Sequence, residues 1–123
     1  KKNKVSFKYN FDIVAKYVRR EIRNLTEEDL SILFESFFKI YTINETYGRE
    51  LYGPKFHTAE YFNYKHLSGA GTSDCDHWHD GAGILTHHMA FTLEAEQTLQ
   101  AINPSIAMPY WEYGLVSRIP YLI

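Results

Sequence analysis

The chain of 123 residues has a single cysteine, Cys75, so no disulfide can close within it and a cross-linked scaffold is excluded. It has no apolar run of the roughly 20 residues that a bilayer span needs. It also has no excess of one charge: 13 Lys and Arg stand against 15 Asp and Glu, a formal net charge of −2. That balance gives no electrostatic case for nucleic acid or an anionic membrane as partner. The one lysine cluster, Lys1-Lys2-Asn3-Lys4, opens what reads as a solvated tail over residues 1–9. Internal repeats and low-complexity tracts are missing too. An initiating methionine is absent, which reads as the mark of a processed or partial product, and any signal peptide would be gone from a mature form.

What is present is globular. Hydrophobic residues make up 45%, with ten Tyr and eight Phe, enough to build one core. Two sequons, Asn24-Leu25-Thr26 and Asn44-Glu45-Thr46, would accept N-glycans in a secreted protein, and they place the expected location outside the cell or in the secretory pathway.

The patterning is helical, and the predicted fold class is mainly α. Residues 11–24, FDIVAKYVRREIRN, put Phe11, Val14, Val18 and Ile22 on one helical face. A capping box from Thr26 to Asp29 starts a second helix whose stripe is Leu30, Leu33, Phe34, Phe37 and Tyr41, the two helices packing together through the link at Asn24 and Leu25. Residues 43–56, with Asn44, Gly48, Gly53 and Pro54, read as loop; 60–67 as one or two helical turns; 68–74 as a turn. A third helix is predicted from about His88 to Ala101, with Phe91, Ala95, Leu99 and Ile102 inside and Asn103-Pro104-Ser105 as its stop. The tail GLVSRIPYLI carries too few cues to assign, and no strand pair stands out.

Four of the six histidines fall within CDHWHDGAGILTHH, residues 75–88. Imidazole is the commonest metal ligand because it binds neutral near pH 7 and can be aimed by a hydrogen bond at its second nitrogen. An acid/base centre needs one tuned histidine and a partner, not four. His79 and His88 are nine apart across Gly81 and Gly83, which let the chain turn back sharply. His88, Thr92 and Glu96 then share a helical face, with Glu96 two turns behind the histidine. The lack of a CxxC pair argues against a structural zinc finger.

From His88 the chain runs HMAFTLEAEQTLQAINPSIAMPYWEY, and this resembles the first copper-binding half of the tyrosinase, catechol oxidase and molluscan haemocyanin superfamily, the type-3 copper proteins. Three features carry the likeness: a His nine residues before another, a Glu eight residues after the second, and Pro-Ser followed by Pro-Tyr-Trp-acid-aromatic. Upstream, VRREIRNLTEEDLSILFESF is similar to the helix starts that open such domains, so the likeness spans residues 18–113. It departs at Met89, where the family usually has Arg, and at Leu85-Thr86-His87, where aromatic residues and Pro are usual. These departures mark a divergent branch.

The resemblance implies a helix-bundle core of the tyrosinase/haemocyanin type, of which residues 1–123 would be the N-terminal half. It implies His79 and His88 as the second and third ligands of the first copper. The first ligand is His66 or His57: His57 has the more usual spacing to His79, while His66 has the better setting, on a helical face with Phe62, and is preferred. His77 and His87 lie outside the pattern and are expected beside the ligands. Glu96 and Glu112 match the carboxylates that hold arginines or imidazoles in place, and Tyr110 and Trp111 are expected to pack behind the metal helices. Cys75 sits near a cysteine that many relatives join to a ligand by a thioether; here it is expected to be a buried free thiol.

The implied cofactor is copper, two ions in the complete site and one held here. Because a copper ion supplies one electron and dioxygen takes two, both are needed. No histidine follows His88, so the second set is expected from a C-terminal half or a partner chain. The implied activity is oxidation of phenols or catechols to quinones with O2. The alternatives are an O2 carrier of haemocyanin type and a non-catalytic structural protein that retains the fold.

Overall fold

The computed structural model describes residues 7–14, 16–72 and 74–114. Within them the chain forms a 3-10 turn, Ile22–Asn24, and four helices: α1, Glu27–Thr42; α2, Glu45–Tyr52; α3, Ala59–Ala70; and α4, Gly83–Ile102. No strand occurs among the described residues, only an isolated bridge between Glu21 and Tyr110. The fold is mainly α, as the periodicity implies.

Three helices start on a side chain that satisfies a first-turn amide. Thr26 Oγ1 accepts from the Asp29 amide at 3.1 Å, Asn44 Oδ1 from that of Tyr47 at 2.9 Å, and Thr58 Oγ1 from that of Tyr61 at 3.2 Å. α1 packs against both α3 and α4. The core is Leu33, Ile40, Phe56, Ala59, Leu99 and Ile106, with Phe37, Ile102 and Met108 against it. Phe56 is fully buried, and it fits because Gly48 has no side chain: a Cβ there would run into the Phe56 ring.

Several expectations are corrected. The described part of residues 11–24 is no helix; 7–14 and 16–20 have no regular secondary structure and are solvent-exposed, and only Ile22–Asn24 make a turn. The backbone there is spoken for elsewhere, since the Tyr110 amide donates to the Arg20 carbonyl and the Ile22 amide to the Tyr110 carbonyl. A helix would need those groups for itself. The sequence FKYNFDI also alternates apolar and polar residues, a period-two pattern that competes with the helical one. The inner stripe of α1 is Leu33, Ser36 and Ile40, whereas Phe34 and Tyr41 face solvent. Residues 43–56 are not a loop but mostly α2: Asn44 is its cap, and Gly53 ends it at φ 89°. α3 extends into the expected turn only as far as Ala70, and α4 begins at Gly83, so His88 lies in its second turn. The stop at Asn103 stands as read. Residues 115–123, most of the unassigned tail, and residues 1–6 of the expected N-terminal tail lie outside the described residues.

Candidate metal centre

Three segments converge on one point. α3 presents His66, the connection 71–82 presents His79, and α4 presents His88. Their ring centroids stand 5.2 Å apart for His66 and His79, 5.7 Å for His66 and His88, and 5.2 Å for His79 and His88. One nitrogen from each ring lies within 4.8 Å of the other two. Imidazole nitrogens bound at about 2.0 Å around a tetrahedral ion stand about 3.3 Å apart, so a small inward rotation of the rings closes the set. His66 and His88 are half-buried; His79 is exposed and leaves that side open.

The hydrogen bonds decide which nitrogens are free. His88 Nδ1 is 2.8 Å from the Ile84 carbonyl oxygen, which can only accept, so Nδ1 carries the proton and Nε2 keeps its lone pair. His79 Nδ1 donates likewise to Asp76 Oδ2 at 2.6 Å. Asp76 Oδ1 accepts from the amides of Trp78 and His79 at 3.1 and 3.0 Å. Desolvation pushes the Asp76 pKa up, but the His79 ring and these two amides outweigh it and hold the carboxyl below its ordinary value. The group is an acceptor.

Behind the triad lies Trp78, buried, with its ring 5.3 Å from His66, 5.7 Å from His88 and 5.3 Å from Phe91. Its indole occupies the space where a Cβ on residue 69 would be, so Gly69 in α3 is what admits it. Neither Trp78 nor Asp76 is singled out by sequence reasoning. The available signals were an aromatic residue between two histidines in DHWHD, and an acid three residues before His79.

The other named residues lie elsewhere. His57 is not in the cluster: it stacks on Tyr61 at 3.9 Å, and its Nδ1 is 2.9 Å from Glu45 Oε1 and 3.1 Å from the Arg49 guanidinium. His77 Nε2 is 2.9 Å from Cys75 Sγ. His87 stacks on Trp78 at 5.5 Å and donates Nδ1–H to the Gly83 carbonyl at 2.9 Å. Cys75 is free as expected but exposed rather than buried. Glu96 is buried and touches no imidazole; it takes Arg19 through Nε at 3.1 Å and Nη2 at 2.7 Å, and the Met108 amide at 2.7 Å. Glu112 is exposed, its carboxylate on the Gly114 amide and its carbonyl on Arg23. Tyr110 and Trp111 do not pack behind the metal helices; both are more than half exposed, as residue 110 uses its backbone to bridge residues 20–22.

A helical domain in which three imidazoles meet between two helices and the loop joining them is of the class that could hold a metal ion, with a donor set that suits copper, zinc, iron or nickel. The chain matches the family model of the common central domain of tyrosinase over residues 41–120, and it therefore belongs to the tyrosinase family and the type-3 copper superfamily. Comparison with curated proteins and with solved structures found no match. Membership implies copper as the metal, and O2 and phenols as the family's substrates. The three histidines are able to hold such an ion.

Proposed function

We propose that His66, His79 and His88 hold one copper ion, and that this chain is the first-copper half of a site that oxidises phenols or catechols to quinones with O2. The observation that carries the reading is the convergence of three ring nitrogens within 4.8 Å, two of them with Nδ1 protonated and Nε2 free. Copper, when bound, supplies one electron by moving between its two oxidation states, and a second ion completes the pair that dioxygen takes. This chain's residues do the holding and the shielding. His88 is aimed from α4 by the Ile84 carbonyl, His66 is backed by Trp78 and Phe91, and these two rings keep water from the inner side. His79 leaves the outer side open to a small phenolic molecule and to the second copper set, which would come from a C-terminal half or a partner chain.

The test is a copper titration of the chain and its single variants. His66→Ala, His79→Ala and His88→Ala should each abolish uptake of the one equivalent, while His57→Ala should leave it unchanged. A chain that loses copper with His57→Ala but not His66→Ala has its first ligand elsewhere than proposed. With the second set supplied, diphenol turnover supports the oxidase reading; reversible oxygenation without turnover assigns an O2 carrier instead. The same reading places the protein in the secretory pathway, supported by the exposed sequon residues Asn24 and Asn44. A mobility shift of the native protein on N-glycosidase treatment checks this.

A further inference from the structure

We propose that Asp76 is a positioning residue of the metal centre, fixing both the tautomer and the direction of the His79 ring. The inference rests on the metal-binding reading of the triad and adds to it a group that touches no metal. The carboxylate acts in two ways. Oδ1 accepts from the amides of Trp78 and His79 and so shapes the turn, which any side-chain carbonyl oxygen could do. Oδ2 faces His79 Nδ1 at 2.6 Å, and because a carboxylate there only accepts, it keeps the proton on Nδ1 and the lone pair on Nε2.

His79 needs this help more than its two neighbours do. His88 has its Nδ1 held by the Ile84 carbonyl of its own helix, and the His66 ring is flanked by Trp78 and Phe91. The His79 ring projects from a connection between helices, is exposed, and among the described residues stacks on no ring but those of the other two histidines. A histidine in water also favours the tautomer with the proton on Nε2, which cannot ligate through that atom. Left to itself, the third corner of the triangle would present the wrong nitrogen. A carboxylate behind a ligating imidazole makes it a stronger donor as well, which favours the more oxidised form of a bound metal.

The substitution that separates the two effects is Asp76→Asn. The amide oxygen can still take both backbone amides, so the turn survives. The amide nitrogen then faces His79 Nδ1 and donates to it, which drives the ring proton to Nε2; the same swap in a hydrolytic triad disables its histidine by this route. The expected results for the full chain are unchanged helix content without metal, a His79 ring switched from Nδ1–H to Nε2–H in long-range nitrogen–proton NMR spectra, and zinc and copper affinities weakened by about 10- to 100-fold. A purely structural Asp76 predicts an Asn variant that binds both ions as the parent does and retains Nδ1–H, and that outcome overturns the inference. A parent chain that takes up neither ion sinks the ligand assignment, while the tautomer of the metal-free ring still decides the role of Asp76.

Discussion

Glu96 shows how far a single side chain can be read from its neighbours. A buried carboxylate is costly unless its lone pairs are filled, and here both oxygens are occupied, by Arg19 on one and by Arg19 and the Met108 amide on the other. The Arg19 hydrogen bonds are the main reason its pKa lies below the ordinary glutamate value of 4.5, against the opposing pull of burial. A depressed folded-state pKa means stability that is fully present above the unfolded value and lost as pH falls through the folded one. Acid unfolding should therefore begin below about pH 4.5, and Glu96→Gln should flatten that limb in a pH titration followed by circular dichroism. Asp29, lowered by Arg20, contributes in the same sense. Arg19→Ala leaves the carboxylate with the Met108 amide alone and should cost about 1–3 kcal/mol in urea unfolding; a loss near zero would mean that the half-exposed arginine adds nothing. The position of Glu96, eight residues after His88, was legible in the sequence. Its partner was not, because Arg19 reaches it from 77 residues away, out of a segment whose spacing suggested a helix.

At the scale of elements, the same residue type meant different things in different places. Asn44, Gly48 and Gly53 together look like loop chemistry, yet each serves the helix in its own way. Asn44 caps α2, Gly48 makes room for Phe56, and Gly53 ends the helix in the left-handed region. Nothing local distinguishes these cases, since the decisive contact with Phe56 is tertiary. α1 and the end of α4 were readable because their signals are local, a Thr-x-x-Asp cap and an Asn-Pro stop. The inner stripe of α1 was misread because Phe34 and Tyr41 are as apolar as the residues that are buried, so periodicity alone could not choose a face. Two substitutions probe this. Thr26→Ala removes an N-cap and should cost about 1 kcal/mol. Gly48→Ala would stabilise an open helix by about 0.5–1 kcal/mol, but here the new methyl meets the Phe56 ring, and a net loss of about 1–3 kcal/mol is expected from overpacking. Urea midpoints decide it, and a stabilised Gly48→Ala chain would refute the packing at that crossing.

For the molecule as a whole, the candidate centre ties together parts that the core does not. The buried cluster around Leu33, Phe56 and Leu99 draws on α1, the segment after α2, the start of α3 at Ala59, and the later turns of α4, but on no residue of the connection 71–82. The triad instead joins α3, the connection 71–82 and the first turns of α4, where His79, Leu85 and Met89 are exposed and α4 starts on Ala82 without a side-chain cap. That end has few buried groups and should open at lower cost than the core. An ion bound by all three histidines exists only in the folded chain, so it stabilises by mass action: about 2.7 kcal/mol at a hundred times the dissociation constant. For a chain of this size that corresponds to a rise in thermal midpoint of roughly 10 °C. Uptake should saturate at one ion per chain, while the rise keeps growing with the logarithm of free ion and vanishes in His88→Ala. It should survive in His57→Ala, whose ring belongs with Glu45, Arg49 and Tyr61. Calorimetry with and without zinc makes the comparison free of redox chemistry. An equal rise in the parent and in His88→Ala would place the ion somewhere other than the triad.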